Sequence, residues 1–471
     1  LIGSLAVADS IYWSAPYDYE IRGAPLSGGT IETLYDSQDV NLPMGLAIDP
    51  VEGRIYWANY GDSTIRGAPL TAGGNVDELY GPADGVSDPF GVAIDQAAGQ
   101  IYWTNGEWST AGVAGTIRRA PLDGNGPVVP LYGVAHGVGR PLGVVIDRAA
   151  GRIYWANGAT GEIWRAPLTP GSGGPIGPLY GPPQVIGPQW LAVDPTAGRI
   201  YFSHWNYPQD GRIRGAPLAG GGPVDTLYDS GRGVSFPGGL AIDPNPAGVV
   251  TGRLGLATDR LDLGGWVSGA LDRIRDVFAR HNFSPSPSPP ALIYWGNGVT
   301  TTSLQPTNPN NKKIQSAPLA GGGAVDTLYG PANWTGGPSA LAVLRAPVGT
   351  GPPAISWAIV LPDEFSGGMG GGPGGGLEGG VGGWQFGGGN SGPQGQRLTC
   401  SRGSWAPDLS SSFLYRAPQS FAYQWRLNGA DIGGANAAQY TASAPGIYTC
   451  RVTATNGAGS ASQTSAAFTI S

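Results

Sequence analysis

Short apolar segments alternate along most of this chain with turns rich in Gly, Pro, Asn and Asp, and the alternation repeats as a unit. Each unit opens with Pro-x-Gly-Leu-Ala-Ile-Asp. An Ile-Tyr-Trp segment follows, then Ile-Arg-Gly-Ala-Pro-Leu, a Gly-rich turn and a closing Leu-Tyr. The Tyr-aromatic pair occurs six times, at Tyr12-Trp13, Tyr56-Trp57, Tyr102-Trp103, Tyr154-Trp155, Tyr201-Phe202 and Tyr294-Trp295. The third segment also occurs six times, from Ile21, Ile65, Ile117, Ile163, Ile213 and Ile314. Four apolar segments per unit predict a four-stranded meander. One meander cannot bury both faces, whereas six packed radially can, which predicts an all-β, six-bladed propeller over residues 1–345. The bulky aromatics of the second strand fill the wedges between blades, and the small Gly-Leu-Ala strand suits the crowded axis.

The repeat resembles the YWTD propeller repeat of the low-density lipoprotein receptor class B family, with the same strand order in all six copies. It departs at the last motif position. Asn stands there at Asn59, Asn105, Asn157 and Asn297, and His at His204, so any role resting on a carboxylate charge is lost. Asn still makes local backbone hydrogen bonds.

Two irregularities break the pattern. The Leu-Ala strand occurs seven times, at Leu5, Leu46, Val92, Val144, Leu191, Leu240 and Leu341, for six inner positions. The spare copy leaves the ring as a linker, or the two chain ends compete for one slot, or one copy pairs with a neighbouring molecule. In the sixth blade Asp243 and Tyr294 lie 51 residues apart, where Asp49 and Tyr56 lie seven apart. Within this insertion, 244–291, the residues Trp266, Ala270, Leu271, Ile274, Val277 and Phe278 fall at helical spacing. That predicts a helix that caps the ring or meets a partner. Ser284–Pro290 then reads as a stiff connector.

Beyond the propeller, residues 346–396 are Gly-dominated and read as a linker. Residues 397–471 resemble an immunoglobulin-like sandwich through Cys400, Trp425, Tyr448 and Cys450. The resemblance implies a Cys400–Cys450 disulfide between two sheets, Trp425 packed on it and Tyr448 in the tyrosine-corner position. A disulfide in turn implies an oxidising compartment. The 24 residues between Cys400 and Trp425 exceed the usual length, which predicts an extra loop around Trp405–Ala417.

Composition narrows the function classes. The 82 Gly and 43 Pro act as turn punctuation in so regular a repeat. Net charge is −7, Lys312 and Lys313 are the only lysines, and no basic stripe exists, so nucleic acid is not an expected partner. No apolar run is long enough to span a membrane. No signal peptide is visible, which a processed N-terminus accounts for. High Arg, Ala, Gly and Pro point to a GC-rich, bacterial genome.

Signatures of chemistry are sparse. His136, His204 and His281 lie far apart without metal spacing, and no P-loop, nucleophile elbow or calcium loop occurs. Asp49, Asp95, Asp147, Asp194 and Asp243 each end the first strand of a blade. Repetition at equivalent positions argues for a turn role, because an active site breaks symmetry. A propeller's ligand site lies at a channel mouth. The loops before the first strand and after the second share one rim and supply Phe90, Trp108, Trp190, His204, Trp205 and Tyr207 as a candidate binding rim. Its aromatics either meet a sugar or protein or pack the loops together. No catalytic residue, metal or cofactor is expected. The expected function is a non-enzymatic extracellular binding or structural protein, surface-attached or part of an appendage, meeting a protein or glycan at the cell surface. The alternatives are a self-assembling filament subunit and a metal-dependent hydrolase of the lactonase type, for which Glu107 and the Asn set are the nearest ligands.

Overall fold

The computed structural model describes residues 9–106, 115–206, 210–244, 291–298, 312–330, 337–357, 391–409 and 413–471. The expected helix at Trp266–Phe278, the Leu5 copy and most of the Gly-rich segment lie outside these residues.

Five blades are four-stranded antiparallel sheets whose strands follow in chain order, the sixth blade having the long insertion between its first two strands. Their inner strands are Pro43–Asp49, Pro89–Asp95, Pro141–Asp147, Pro188–Asp194 and Pro237–Asp243, the second to sixth blades in chain order. The first blade takes its three outer strands, Ser10–Ala15, Glu20–Pro25 and Glu32–Tyr35, from the chain's start. Its inner strand is Leu341–Leu344, pairing Leu341 with Trp13 and Leu344 with Ser10. The Leu341 copy therefore holds the contested slot, and the ring closes by joining its two ends.

The repeat residues explain the packing between blades. Trp13, Trp57, Trp103, Trp155, Phe202 and Trp295 are fully buried. Each closing Tyr reaches the next blade and donates its hydroxyl to the Pro carbonyl there. Tyr35 bonds Pro69, Tyr80 Pro121, Tyr132 Pro167, Tyr180 Pro217 and Tyr228 Pro318, all at 2.6–2.7 Å. Tyr329 closes the circle onto Pro25. Tyr35, Tyr80, Tyr132, Tyr228 and Tyr329 also stack on the Trp of that next blade, with centroids 5.5–6.1 Å apart. Near the axis the inner strands crowd. A Cβ on Gly91 would meet the Leu142 carbonyl oxygen at 2.6 Å, so only glycine fits.

The C-terminal part is a two-sheet β-sandwich. One sheet joins Ile355–Trp357, Gln396–Cys400 and Gln439–Ala442. The other centres on Ser420–Leu427 and Gly446–Asn456. Strand Gly349–Gly351 pairs with Ser404–Trp405, five residues after the propeller's last strand. The Cys400–Cys450 disulfide joins the sheets. Trp425 is fully buried among Cys400, Cys450, Tyr448 and Val452. The Tyr448 hydroxyl donates to the Ala444 carbonyl at 2.9 Å. Among the described residues no helix is long and apolar enough to cross a membrane.

Candidate functional site

The central channel has two mouths, and side chains occupy the centre of each. At the mouth where the inner strands begin, four blades carry Gly at the third position of that strand: Gly45, Gly91, Gly143 and Gly239. The fifth blade carries Trp190 instead. Its indole, 3% exposed, stacks on the half-buried Phe90 of the third blade, with centroids 5.4 Å apart. Two residues of the candidate rim thus pack on each other across the channel. His204 is buried as well. Trp205 lies in strand Arg199–Asn206, and Trp108 and Tyr207 lie outside the described residues.

The Asn residues that replace the motif Asp are fully buried and clamp the connector arriving from the preceding blade. The Asn157 side-chain oxygen accepts from Gly139 N at 2.7 Å, and its amide donates to the Gly137 carbonyl at 3.0 Å. Asn105 holds Ser87 N and the Gly85 carbonyl, and Asn297 holds Ser235 N and the Gly233 carbonyl, in the same way. Asn59 accepts from Asn41 N and donates to the Asp39 carbonyl. This needs a donor and an acceptor on one side chain, which a carboxylate lacks. The substitution is a structural requirement of the clamp. Among the described residues no group of three or more His, Cys, Asp or Glu is placed to hold a metal ion.

The opposite mouth, where the inner strands end, receives a segment of the sandwich. The long loop after Cys400 carries Leu414–Tyr415, which adds in parallel to the inner edge of Leu341–Leu344. Val343 N donates to the Phe413 carbonyl and Arg345 N to the Tyr415 carbonyl, both at 2.8 Å. Phe413, Leu414 and Tyr415 are buried, and Phe413 and Tyr415 belong to the same hydrophobic core as Leu46, Leu191 and Leu240 of the inner strands. Burial pushes the Tyr415 phenol well above its ordinary range. A two-residue strand has acquired the burial of a core element because it fills an otherwise hollow axis.

Around this stopper the rim Asp residues divide into two kinds. Asp49, Asp95, Asp147 and Asp194 accept the amides of their own turns, for example Val51 N to Asp49 at 2.9 Å and Ala150 N to Asp147 at 3.0 Å. The turn role expected from their repetition holds for these four. Asp243, with a side chain 1% exposed, meets Arg345 at 3.2 Å and Arg416 of the stopper loop at 3.4 Å. Arg345 also pairs with Asp9 at 3.2 Å, and its carbonyl accepts from Asn456 of the sandwich at 2.7 Å. Burial lowers the Arg416 pKa, and the Asp243 carboxylate opposes that. Burial raises the Asp408 pKa, and the amides of Ala417 and Arg416 oppose it. A cleft of about 1250 Å³ remains beside the stopper, lined by Asp49, Asp95, Asp147 and Arg148 and by Pro407, Asp408 and Leu409. Arg148 pairs with Asp95 at 3.4 Å.

Sequence reasoning marked the extra loop around Trp405–Ala417 by its length. It gave no role to Tyr415, Arg416 or Arg345. The available signal was Asp243, whose turn is interrupted by the long insertion.

No protein-family model matches the chain. Among solved structures the chain is similar to one in the crystal structure of a nidogen/laminin complex. It is 17% identical, over 71% of this chain and 97% of that chain, with a TM-score of 0.46. It is also similar to a gluconolactonase from Xanthomonas campestris, at 15% identity over 47% and 78%, TM-score 0.38. A streptogramin B lyase structure matches at 12% identity over 69% and 82%, TM-score 0.39. At such values the blade assignment stands on this chain's own strand pairing.

Proposed function

We propose that the chain is an extracellular, non-enzymatic binding or structural protein: a YWTD-type propeller stoppered by an immunoglobulin-like sandwich. The observation that carries this reading is that the channel axis is stoppered, and that the rim carboxylates lining the cleft left beside the stopper are engaged by the amides of their own turns. Catalysis at a propeller mouth needs a concave site with convergent polar or metal-binding groups. Here Trp190 on Phe90 occupies one mouth and Phe413–Tyr415 the other. The Asn side chains that a lactonase-type site would draw on are spent on connector clamps. The disulfide supports an oxidising, extracellular setting. What the protein offers to a protein or glycan is its outer surface, carried on two domains that the stopper joins.

The test pairs two measurements on the full chain. One is a turnover screen with lactones and esters under added calcium, magnesium or zinc. The other is a binding screen on arrayed glycans and cell-envelope fractions. Saturable binding without turnover is expected. Metal-dependent turnover abolished by a single Asn or Asp substitution would overturn the reading. Light scattering on the same samples reads self-assembly, and regular polymers would make assembly the function instead.

A further inference from the structure

We infer that the cleft between the first and second blades is a subsite for one neutral pyranose ring, which rests on the binding function proposed above. Three departures from the sixfold pattern converge there. The first is Tyr19. The hairpin between the second and third strands places one residue at φ near +60°, and that residue is Ser63, Gly161 or Lys312 in three other blades. In the first blade it is Tyr19, at φ 58° and 41% exposed. Lys312 shows that this corner takes a long side chain at the same φ, so what sets the first blade apart is the exposed aromatic ring. The second departure is Asp39. The connectors into the third, fourth and sixth blades turn at Gly85, Gly137 and Gly233, whereas the shorter connector Asp36–Asn41 has no glycine and carries Asp39. The third is Asn41. Its backbone amide meets the Asn59 clamp as Ser87, Gly139 and Ser235 meet theirs, yet its side chain is larger and lies over Gly61, where a Cβ would collide with it.

Together with Gln38, Asp62 and Arg66 these residues line a cleft of about 410 Å³, at the small end of the range for small-molecule sites and roomy enough for one sugar ring. Its floor is fixed. Asp62 accepts from Thr64 at 2.8 Å and pairs with Arg66 at 3.1 Å, and Arg66 also donates to the Asp39 carbonyl at 3.3 Å. The wall is unspent. The side-chain amides of Gln38 and Asn41 make no hydrogen bond among the described residues, and the Asp39 carboxylate only reaches Arg66 at 4.0 Å. Planar amides and a carboxylate suit vicinal hydroxyls, each of which donates and accepts. The exposed Tyr19 face suits the apolar C–H face of a pyranose. Two carboxylates against one guanidinium leave a net negative cleft, which selects a neutral sugar over an acidic one.

The experiment titrates the full chain with a panel of methyl hexopyranosides, followed by saturation-transfer NMR, and repeats it with Y19G and N41S. Gly suits the backbone at position 19 and Ser is the residue at the equivalent position of another blade, so both variants should keep the parent Tm. At least one pyranoside is expected to bind, with affinity falling tenfold or more in each variant. Sugar binding that survives both changes would overturn this site and leave a glycan-binding function elsewhere. No binding by any pyranoside would also overturn it, while the wider binding function would still rest on the array and envelope screens.

Discussion

Replacing Asp243 with Asn should uncouple the sandwich from the propeller. The Asp243 carboxylate, 1% exposed, faces Arg345 at 3.2 Å and Arg416 at 3.4 Å. The amide keeps the volume and removes the charge between two guanidinium groups. Removing one partner of a buried ion pair costs about 3–5 kcal/mol, because the remaining charge stays desolvated. An exposed pair serves as the control. Arg54 and Asp77, at 2.6 Å, have side chains 29% and 55% exposed, and R54Q should cost no more than about 1 kcal/mol. Calorimetry distinguishes the two. The parent should melt as one cooperative unit, R54Q likewise, and D243N with the sandwich transition separated from the propeller's and shifted down. Limited proteolysis should open the chain near Arg345–Val348 in D243N alone. The double change D243L and R416M, which replaces charges by apolar groups, should recover most of the loss. If D243N melts with the control and stays uncleaved, the buried cluster does not join the domains and the reasoning fails.

Three further outcomes follow from the same geometry. Reducing the Cys400–Cys450 bond, which spans 50 residues, should lower sandwich stability by roughly 4 kcal/mol on the chain-entropy account, read by denaturant melts with and without reductant. Y80F removes one rung of the inter-blade latch to Pro121 and should cost about 1 kcal/mol, with unfolding cooperativity retained. Burial pushes Tyr12, Tyr35, Tyr56 and Tyr80 up to about 12 from an ordinary 10, so the folded state favours the neutral phenol. That stabilisation is complete below pH 10 and is lost as pH rises from 10 toward 12. Site-resolved NMR should therefore show the Tyr12, Tyr35, Tyr56 and Tyr80 rings ionising together with unfolding in that window, and ionisation of these four at pH 10 in a still-folded protein would contradict it.

The blades were legible because their residues repeat, and a residue repeated six times performs one job six times. The segments ending in Ala-Pro-Leu and the Leu-Tyr pairs were both visible, but their meeting was not. Each Tyr bonds a Pro of the following blade, a contact that exists only once the ring is assembled. The contest for the seventh inner strand was readable from spacing. Leu46 to Trp57 and Val92 to Trp103 are 11 residues apart, but Leu5 to Trp13 only eight, too short for the same strand, turn and strand in register. Leu341, arriving from the far end of the chain, needs no such turn. The stopper was half legible. Loop length showed that something extra lay between Cys400 and Trp425, but a two-residue strand has no periodicity to read. Its place in the channel is set by the unfilled axis and by Asp243, neither of which is local to the loop.

The divergent positions therefore carry more information about function than the repeated ones. Gly45, Gly91, Gly143 and Gly239 let inner strands approach one another, while Trp190 at the same position reaches across and closes a mouth. Asp49, Asp95, Asp147 and Asp194 each close a turn, while Asp243 ties two domains. Ser63, Gly161 and Lys312 occupy a hairpin corner, while Tyr19 exposes an aromatic ring there beside Asp39 and Asn41. The first two departures seal the molecule and gain burial by doing so. The third gains no burial, since Tyr19 stays exposed over a polar cleft. An exposed aromatic at a corner that Gly161 fills in another blade buries little surface on folding. The ring is therefore available to a partner, which is the ground for testing the blade-one cleft with sugars before the wider cleft beside the stopper.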